Sequence, residues 1–229
     1  SIKNFHKVSI APMMDCTDKH FRMLMRKISG KALLYTEMIV AKSLIYTNQK
    51  NKFLDFNKEE HPISIQFGGD NPAILKEAAK MAQDWGYDEI NLNVGCPSPK
   101  VCSGNFGASL MKEPSKVAKC IEALKNNCNL PVTIKHRIGV DDHDSYMGLD
   151  QFVKNVANAG ADRFTVHARK AILKGLNPKQ NRTIPPLNYE MVRRLKHSNP
   201  ELVIEINGGI TNLDECIKAL NDFDGVMIG

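Results

Sequence analysis

No stretch of about eighteen consecutive apolar residues occurs in the 229-residue chain, so no segment has the length and hydropathy of a membrane-crossing helix. The opening residues SIKNFHKVSI have neither the apolar centre of a secretory signal nor an arginine-rich transit pattern. Six cysteines, at 16, 96, 102, 120, 128 and 216, never form Cys-x-x-Cys, so neither a zinc ribbon nor a redox dithiol is indicated. A reducing, cytoplasmic compartment is the simpler expectation. No Gly-x-Gly-x-x-Gly follows an apolar run, and the Gly104-Asn105-Phe106-Gly107 turn is no substitute for one. The cluster Asp141-Asp142-His143-Asp144 lacks both EF-hand and His-Glu-x-x-His spacing, so it reads as a solvated loop and no metal is expected.

What the chain does have is an alternation of short apolar runs with helical patterns. Hydrophobic residues make up 42%, enough for a large core, and the formal net charge of +6 suits a polyanionic partner without demanding one. Strand signals fall at Val8–Met13, Leu33–Met38, Ile63–Phe67, Ile90–Val94, Val132–Ile138, Phe164–His167, Val203–Ile206 and Val226–Ile228. Between them lie helical stretches, such as Phe21, Leu24, Met25 and Ile28 on one face of a helix that starts near Asp18 and closes at Gly30. The cleanest has Asp70 or Asn71 as cap, Pro72 at the first position, an apolar face of Ile74, Leu75, Ala78, Met81 and Trp85, and Gly86 at its end. Eight such units predict an α/β fold, a (β/α)8 barrel, with an open doubly wound sheet as competitor. The chain stops on the eighth strand signal, so the expectation is a C-terminally truncated barrel lacking its last helix.

Polar residues gather where the apolar runs end: Met13, Gln66, Asn93 with Cys96, Lys135, His167, and Asn207-Gly208-Gly209. In a parallel barrel these ends form the rim from which catalytic side chains emerge. Amides at Gln66 and Asn207, donors at Lys135 and His167, and a backbone freed by Gly208-Gly209 would together suit a phosphorylated heteroaromatic cofactor. Taken singly, each has a plainer reading: His167 a satisfied core histidine, Lys135 a snorkelling side chain, the glycine pair a turn. The functional reading rests on their falling at the same end of consecutive strands. Cys16, Cys120 and Cys216 read as small buried hydrophobes, and Cys102 stays open because it shares the loop of Cys96. The long irregular segment Ala168–Pro186 carries Arg169, Lys170, Lys174, Lys179 and Arg182. Such a loop is more often functional than idle, the alternative being a solvated charged loop.

The sequence resembles the tRNA-dihydrouridine synthases, and within them the bacterial A-type (20/20a) branch. The resemblance spans nearly the whole chain: APMMD at 11–15, TEM at 36–38, QFGG at 66–69, GYDEINLNVGCPS at 86–98, SGNFGASLM at 103–111, VTIKHRIG at 132–139, FTVHARKA at 164–171, KGLNPKQNRTIPPL at 174–187 and EINGGI at 205–210. It implies an FMN-dependent enzyme that takes hydride from NADPH and reduces the C5=C6 bond of a D-loop uridine in tRNA. By the family pattern Pro12, Met13 and Met14 line the flavin, Gln66, Lys135 and His167 contact it, and Asn207, Gly208, Gly209 and Gly229 hold its phosphate. Cys96 matches the catalytic cysteine, Asn93 the substrate-contacting asparagine, and Lys179 and Arg182 contacts to tRNA. A thiol of ordinary pKa near ~8.5 is mostly protonated at neutral pH and can supply the proton that uridine C5 needs. The resemblance further implies a monomer, and a helical tRNA-binding domain that lies outside these residues. Two alternatives stand beside it: a dihydroorotate-dehydrogenase-like barrel, against which the KGLNPKQNR loop argues, and an idle RNA-binding relative, against which the pairing of Asn93 with Cys96 argues.

Overall fold

The computed structural model describes residues 5–229. Strands and helices alternate from the start: β1 (Val8–Ile10), α1 (Lys19–Ile28), β2 (Leu34–Val40), the short α2 (Ala41–Tyr46) and α3 (Asn51–Leu54), β3 (Ile63–Gly68) and α4 (Pro72–Trp85). Then come β4 (Glu89–Val94), α5 (Pro99–Ser103), α6 (Pro114–Lys125), β5 (Val132–Arg137), α7 (Tyr146–Asn158) and β6 (Arg163–His167). α8 (Tyr189–Ser198), β7 (Ile204–Asn207), α9 (Leu213–Ala219) and β8 (Gly225–Ile228) complete the series. Local chemistry sets the ends of α4: the Asn71 side chain accepts from the Ala73 and Ile74 N–H groups, Pro72 occupies the first position, and Gly86 terminates it at φ 92°. That left-handed conformation is the one a glycine adopts without a Cβ penalty.

All strand pairings are parallel, in the order β1-β8-β7-β6-β5-β4-β3-β2. The ring closes where Leu33, just before β2, bridges Ser9: Leu33 N–H donates to Val8 O at 3.0 Å and Ile10 N–H to Leu33 O at 2.9 Å. The structure is therefore the (β/α)8 barrel that the alternation predicts. Its apolar residues do not fill the lumen. Ile65, Ile90, Leu92, Ile134, Phe164, Val166, Ile204 and Ile206 are fully buried against the helices, in the same core as Leu75 of α4, Ile121 of α6, Val153 of α7 and Leu195 of α8. Each such aliphatic side chain contributes about 1.5–3 kcal/mol by leaving water.

The alternate residues face inward and are mostly polar, Met227 of β8 being an apolar exception that packs with Leu33 and Tyr35. Hydrogen bonds between strands that are not neighbours can only cross the lumen, and several do. Arg163 Nη2 on β6 donates to Glu89 Oε1 on β4 at 2.8 Å and to Tyr35 Oη on β2 at 2.7 Å, and Ser9 Oγ on β1 donates to Glu205 on β7 at 2.8 Å. Ser64, Thr133 and Tyr35 also donate to Glu89 Oε1, while Thr165 donates to Glu205. Burial opposes the charge on Arg163, but Glu89, Tyr35 and Glu205 outweigh it and hold the guanidinium firmly protonated. For Glu205 the balance goes the other way: burial raises its carboxyl against the pull of Arg163, Thr165 and Ser9.

Helix α1 departs from the sequence reading. Its inward residues are Arg22 and Arg26, one turn apart, whereas Leu24 and Ile28 are 59% and 69% exposed. Arg22 pairs with buried Glu60 at 2.5 Å, and Arg26 donates to the carbonyls of Ser29, Ala32, Glu60 and Pro62. Main-chain carbonyls at the barrel's base need donors there, and that need overrides the hydrophobic period. The helix also ends one residue early, with Ser29 in extended conformation as its cap and Gly30 beyond it. Trp85, read as part of the apolar face of α4, is 36% exposed, and Cys16 is exposed rather than buried.

Two consequences can be measured. Arg163→Met should destabilise the protein by about 3–5 kcal/mol in denaturant unfolding, because it leaves Glu89 and Glu205 buried without their cation. A loss under 1 kcal/mol would show that the lumen does not depend on this ion group. His136, outward on β5 against Phe152 and Phe164, is held to about 4, chiefly by burial. Its folded pKa lies below the unfolded value near ~6.5, so its contribution is complete above that pH and is lost as pH falls towards 4, on the order of 3 kcal/mol in all. His136→Leu should flatten the stability profile in that window by about one proton; an unchanged slope would assign the acid sensitivity elsewhere.

Candidate active site

Every strand-end residue singled out in the sequence lies at the C-terminal mouth of the barrel or in a loop leaving it. Asn93 is the penultimate residue of β4. Its Oδ1 accepts from Gly95 N–H at 3.1 Å and from Cys96 N–H at 2.8 Å, which folds the chain back at the strand's end and fixes the cysteine at the rim. The loop beyond is tightly built: Ala108 N–H donates to Cys96 O at 2.8 Å, Cys102 Sγ sits 3.6 Å from that same oxygen, and a Cβ at Gly107 would meet it at 2.6 Å. Only glycine fits at 107, which also has φ 73°. The short helix α5 inside this loop carries Cys102 and has no hydrophobic period in the sequence to announce it.

The three side-chain amides of β3 and β4 are joined. Asn93 Nδ2 donates to Gln66 Oε1 at 3.0 Å, and Gln66 Nε2 donates to Asn91 Oδ1 at 2.8 Å. From there Asn91 Nδ2 donates to Thr133 Oγ1 at 2.9 Å, and Thr133 donates to Glu89 at 2.8 Å. Asn207 donates to the carbonyl of Met227 at 3.0 Å, stitching β7 to β8. Gly208 and Gly209 have φ 104° and 73°; a Cβ on Gly208 would collide with the His167 ring at 2.7 Å, so this turn also requires glycine. Gly229 lies against Ala11 and Met13 of the turn after β1, where Pro12 is half-buried and Met14 exposed.

The mouth is cationic. Lys135 and Arg137 of β5, with Arg169 and Arg182 from the loop after β6, form no ion pair among the described residues. Burial, then the neighbouring Arg137 charge, lowers the Lys135 ammonium to about 8. Burial and the four cations Arg137, Lys135, Arg169 and Arg182 hold His167 far below the ordinary imidazole range, so it is neutral at physiological pH. Burial pushes the Cys96 thiol up and Cys102 adds to this, against the Ser98 N–H and the Arg137 and Lys135 charges. The net direction keeps Cys96 protonated.

Arg137 is the residue the sequence reading passed over. It is 3% exposed, and it donates from Nε to Gly95 O at 2.9 Å and from Nη1 to Asn181 O at 2.9 Å and Lys170 O at 3.3 Å. Alternation in VTIKHRI puts Arg137 on the face of Lys135, and that was the available signal. Asn181, fully buried, clasps the basic loop: its Oδ1 accepts from Ile172 N–H, and its Nδ2 donates to the carbonyls of Ile172, Leu176 and Asn177. Lys179 and Arg182 stand exposed on either side of it. A cleft of about 760 Å³ bounded by Met14, Lys19, His20, Glu37, Lys52 and Phe53 opens beside the mouth, whereas a 470 Å³ groove between α7 and α8 lies outside the barrel and collects none of these residues.

A parallel barrel with a protonated thiol and unpaired cations converging at its C-terminal mouth is the frame of a barrel enzyme. The chain belongs to the dihydrouridine synthase (Dus) family, whose model matches residues 9–229. It is 55% identical over 226 residues to the tRNA-dihydrouridine(20/20a) synthase of Synechocystis sp., covering 99% of this chain and 67% of the relative. With the enzyme of the same name from Vibrio cholerae it shares 51% over 224 residues, 97% of this chain and 68% of the relative. The chain thus spans about two thirds of the length of these relatives. Among solved structures, inosine 5'-monophosphate dehydrogenase from Legionella pneumophila superposes with a TM-score of 0.57 at 17% identity, over 97% of this chain and 57% of that one, a likeness of fold alone. Among the described residues no helix is long and apolar enough to cross a membrane, and no group of three or more His, Cys, Asp or Glu is placed to hold a metal.

Asn181→Ala should release the basic loop. We expect a loss of about 1–3 kcal/mol and faster tryptic cleavage at Lys174 and Lys179; an unaltered digestion pattern would mean that the loop is held by other contacts.

Proposed function

We propose that this chain is the catalytic barrel of a tRNA-dihydrouridine synthase, an FMN-dependent oxidoreductase that uses NADPH to reduce the C5=C6 bond of a D-loop uridine. One observation carries the chemistry: Cys96, kept protonated by burial, sits at the rim beside Lys135 and Arg137, which form no ion pair among the described residues. The mouth suits a phosphorylated ring cofactor. Lys135 has no acceptor among the described residues, and Arg169 Nε is buried without a partner, so both have capacity for an anionic, oxygen-rich group. In this reading Gln66, Lys135 and His167 face the ring, Pro12, Met13 and Met14 flank it, and Asn207, Gly208, Gly209 and Gly229 take the phosphate end.

When bound, FMN supplies the hydride for uridine C6. The chain's residues do the rest. Cys96 Sγ gives its proton to C5; Asn93, whose Oδ1 is spent on Gly95 and Cys96, has a second Nδ2 proton for a uracil oxygen. Lys135 and neutral His167 stabilise negative charge developing on the ring oxygens where water is excluded. Lys179 and Arg182 bind phosphates of a tRNA whose target base is turned out into the mouth. Residues 1–229 are then the FMN-binding barrel, with the family's helical tRNA-binding domain outside them. We place it as a monomer in a reducing cytoplasm, for which its six free cysteines are suited.

The test is to load the protein with FMN, reduce it anaerobically with NADPH, and follow reoxidation by unmodified tRNA. We expect tRNA, and not orotate, to reoxidise the flavin. Cys96→Ala should keep reduction by NADPH and slow reoxidation by about 10²–10⁴-fold, because only the second half-reaction needs the proton. Flavin that ignores tRNA, or a Cys96→Ala protein with full turnover, would refute the proposal.

A further inference from the structure

The hydrogen bonds that run down the lumen from Cys96 have only one possible direction. At the upper end two backbone N–H groups, of Gly95 and Cys96, must donate, so Asn93 turns Oδ1 towards them and Nδ2 towards β3. Gln66 must then offer Oε1 to Asn93 and Nε2 to Asn91. Asn91 in turn offers Oδ1 upward and Nδ2 to Thr133. At the lower end Glu89, paired with Arg163, receives the Thr133 hydroxyl. An amide flipped anywhere along this line would set donor against donor or acceptor against acceptor. Both ends impose the same sense, and Gln66, Asn91, Thr133 and Glu89 are each 4% exposed or less, so below Asn93 water has little access to repair a break.

We propose that Asn91 and Thr133 are positioning residues for the reaction: they carry the polarity of the buried Glu89 carboxylate to Gln66 and Asn93 and thereby hold the Cys96 loop in register. Neither reaches the mouth itself. They act by deciding which face of the Gln66 amide meets the ring and which atom of Asn93 is left for substrate. The proposal rests on the reading of Cys96 as proton donor, but the alignment exists in the protein without cofactor and can be measured there.

The contrast is Thr133→Val against Thr133→Ser. Valine keeps the shape and removes the hydroxyl, leaving Asn91 Nδ2 without an acceptor; serine keeps the link. Amide hydrogen exchange read by NMR on the cofactor-free protein should show Gly95 and Cys96 exchanging about ten-fold faster in Thr133→Val, the scale of one lost hydrogen bond, with the serine variant like the parent. The rate of Cys96 alkylation by iodoacetamide, resolved by mass spectrometry from the other cysteines, should rise in the same variant. In the FMN-loaded protein, reoxidation at saturating tRNA should slow in Thr133→Val and recover in Thr133→Ser.

Unchanged protection at Gly95 and Cys96 in Thr133→Val would overturn the proposal, as would a loss spread evenly over all strands or one equally large in Thr133→Ser. Should Thr133→Val fail to fold, Asn91→Leu breaks the same line one link higher and is held to the same exchange outcome. Failure of the wild-type protein to reduce tRNA would remove the functional reading while leaving the exchange result to decide the relay.

Discussion

Arg163, with Glu89 across the lumen and Glu205 on the adjacent strand, determines how this barrel is put together. Ser9, Tyr35, Ser64, Glu89, Thr133, Thr165 and Glu205, from seven of the eight strands, are joined in one group around that guanidinium or its partners. Hydrophobic burial outside the sheet is large but non-directional, and it would tolerate a strand slipped by two residues. A slip of one would turn Ile90 or Ile134 inward and Asn91 or Thr133 against the helices. Directional bonds to a buried charge reject both. The arrangement is not cheap: Nε and Nη1 of Arg163 have no hydrogen-bond partner among the described residues, and Nε stands 3.9 Å from Glu205. Burial of paired ions is weak evidence for stability, and its use here is better described as specification of register.

The two ends of the lumen differ in charge balance. Arginine meets glutamate at the base and the field closes on itself. Lys135, Arg137, Arg169 and Arg182 approach one another at the mouth without a carboxylate among them. Such a concentration of like charge is unfavourable in itself, and it adds to burial in lowering Lys135 to about 8 and Arg137 to about 10. An anionic ligand converts it into affinity. The same cations also pull the Cys96 thiol down, so its raised position is a net result in which burial prevails. A shallower site would weaken the contribution of burial and let the cations draw the thiol downward, in the direction of a thiolate that cannot serve as an acid.

The alternation of Ile90, Leu92 and Val94 with Asn91 and Asn93 made the strand legible, and repetition of that pattern eight times made the barrel legible. Glycine and proline punctuation located the rim, and residues at the rim were legible because strand ends are marked by composition. The lumen was harder. Glu89, Arg163 and Glu205 each look like an ordinary charged residue at a strand edge, and nothing local says that they meet at sequence separations of 74 (Glu89 to Arg163) and 42 (Arg163 to Glu205). Helix α1 failed for a related reason: Phe21, Leu24, Met25 and Ile28 satisfy a helical period, but Arg22 and Arg26 turn inward to partners that include Glu60 and Pro62, 34 to 38 residues away in sequence. Arg137 and Asn181 were missed because their partners are backbone oxygens, which carry no residue-type signal at all.

Those two residues make the rim a single body. Arg137 holds Gly95, at the base of the thiol loop, and Asn181, at the centre of the basic loop, with donors of one guanidinium. Asn181 in turn closes the basic loop on itself from Ile172 to Asn177. A polyanion that settles on Lys179 and Arg182 therefore contacts a surface already fixed relative to Cys96, and little ordering remains to be done on binding. Preorganisation of this kind lowers the entropic cost of association, and in the proposed reaction it spares Cys96 from having to find its place after the substrate arrives. It also explains why a planar, five-donor arginine occupies position 137 where a lysine would carry the same charge: three carbonyls at different heights require a fork, and an ammonium offers a point.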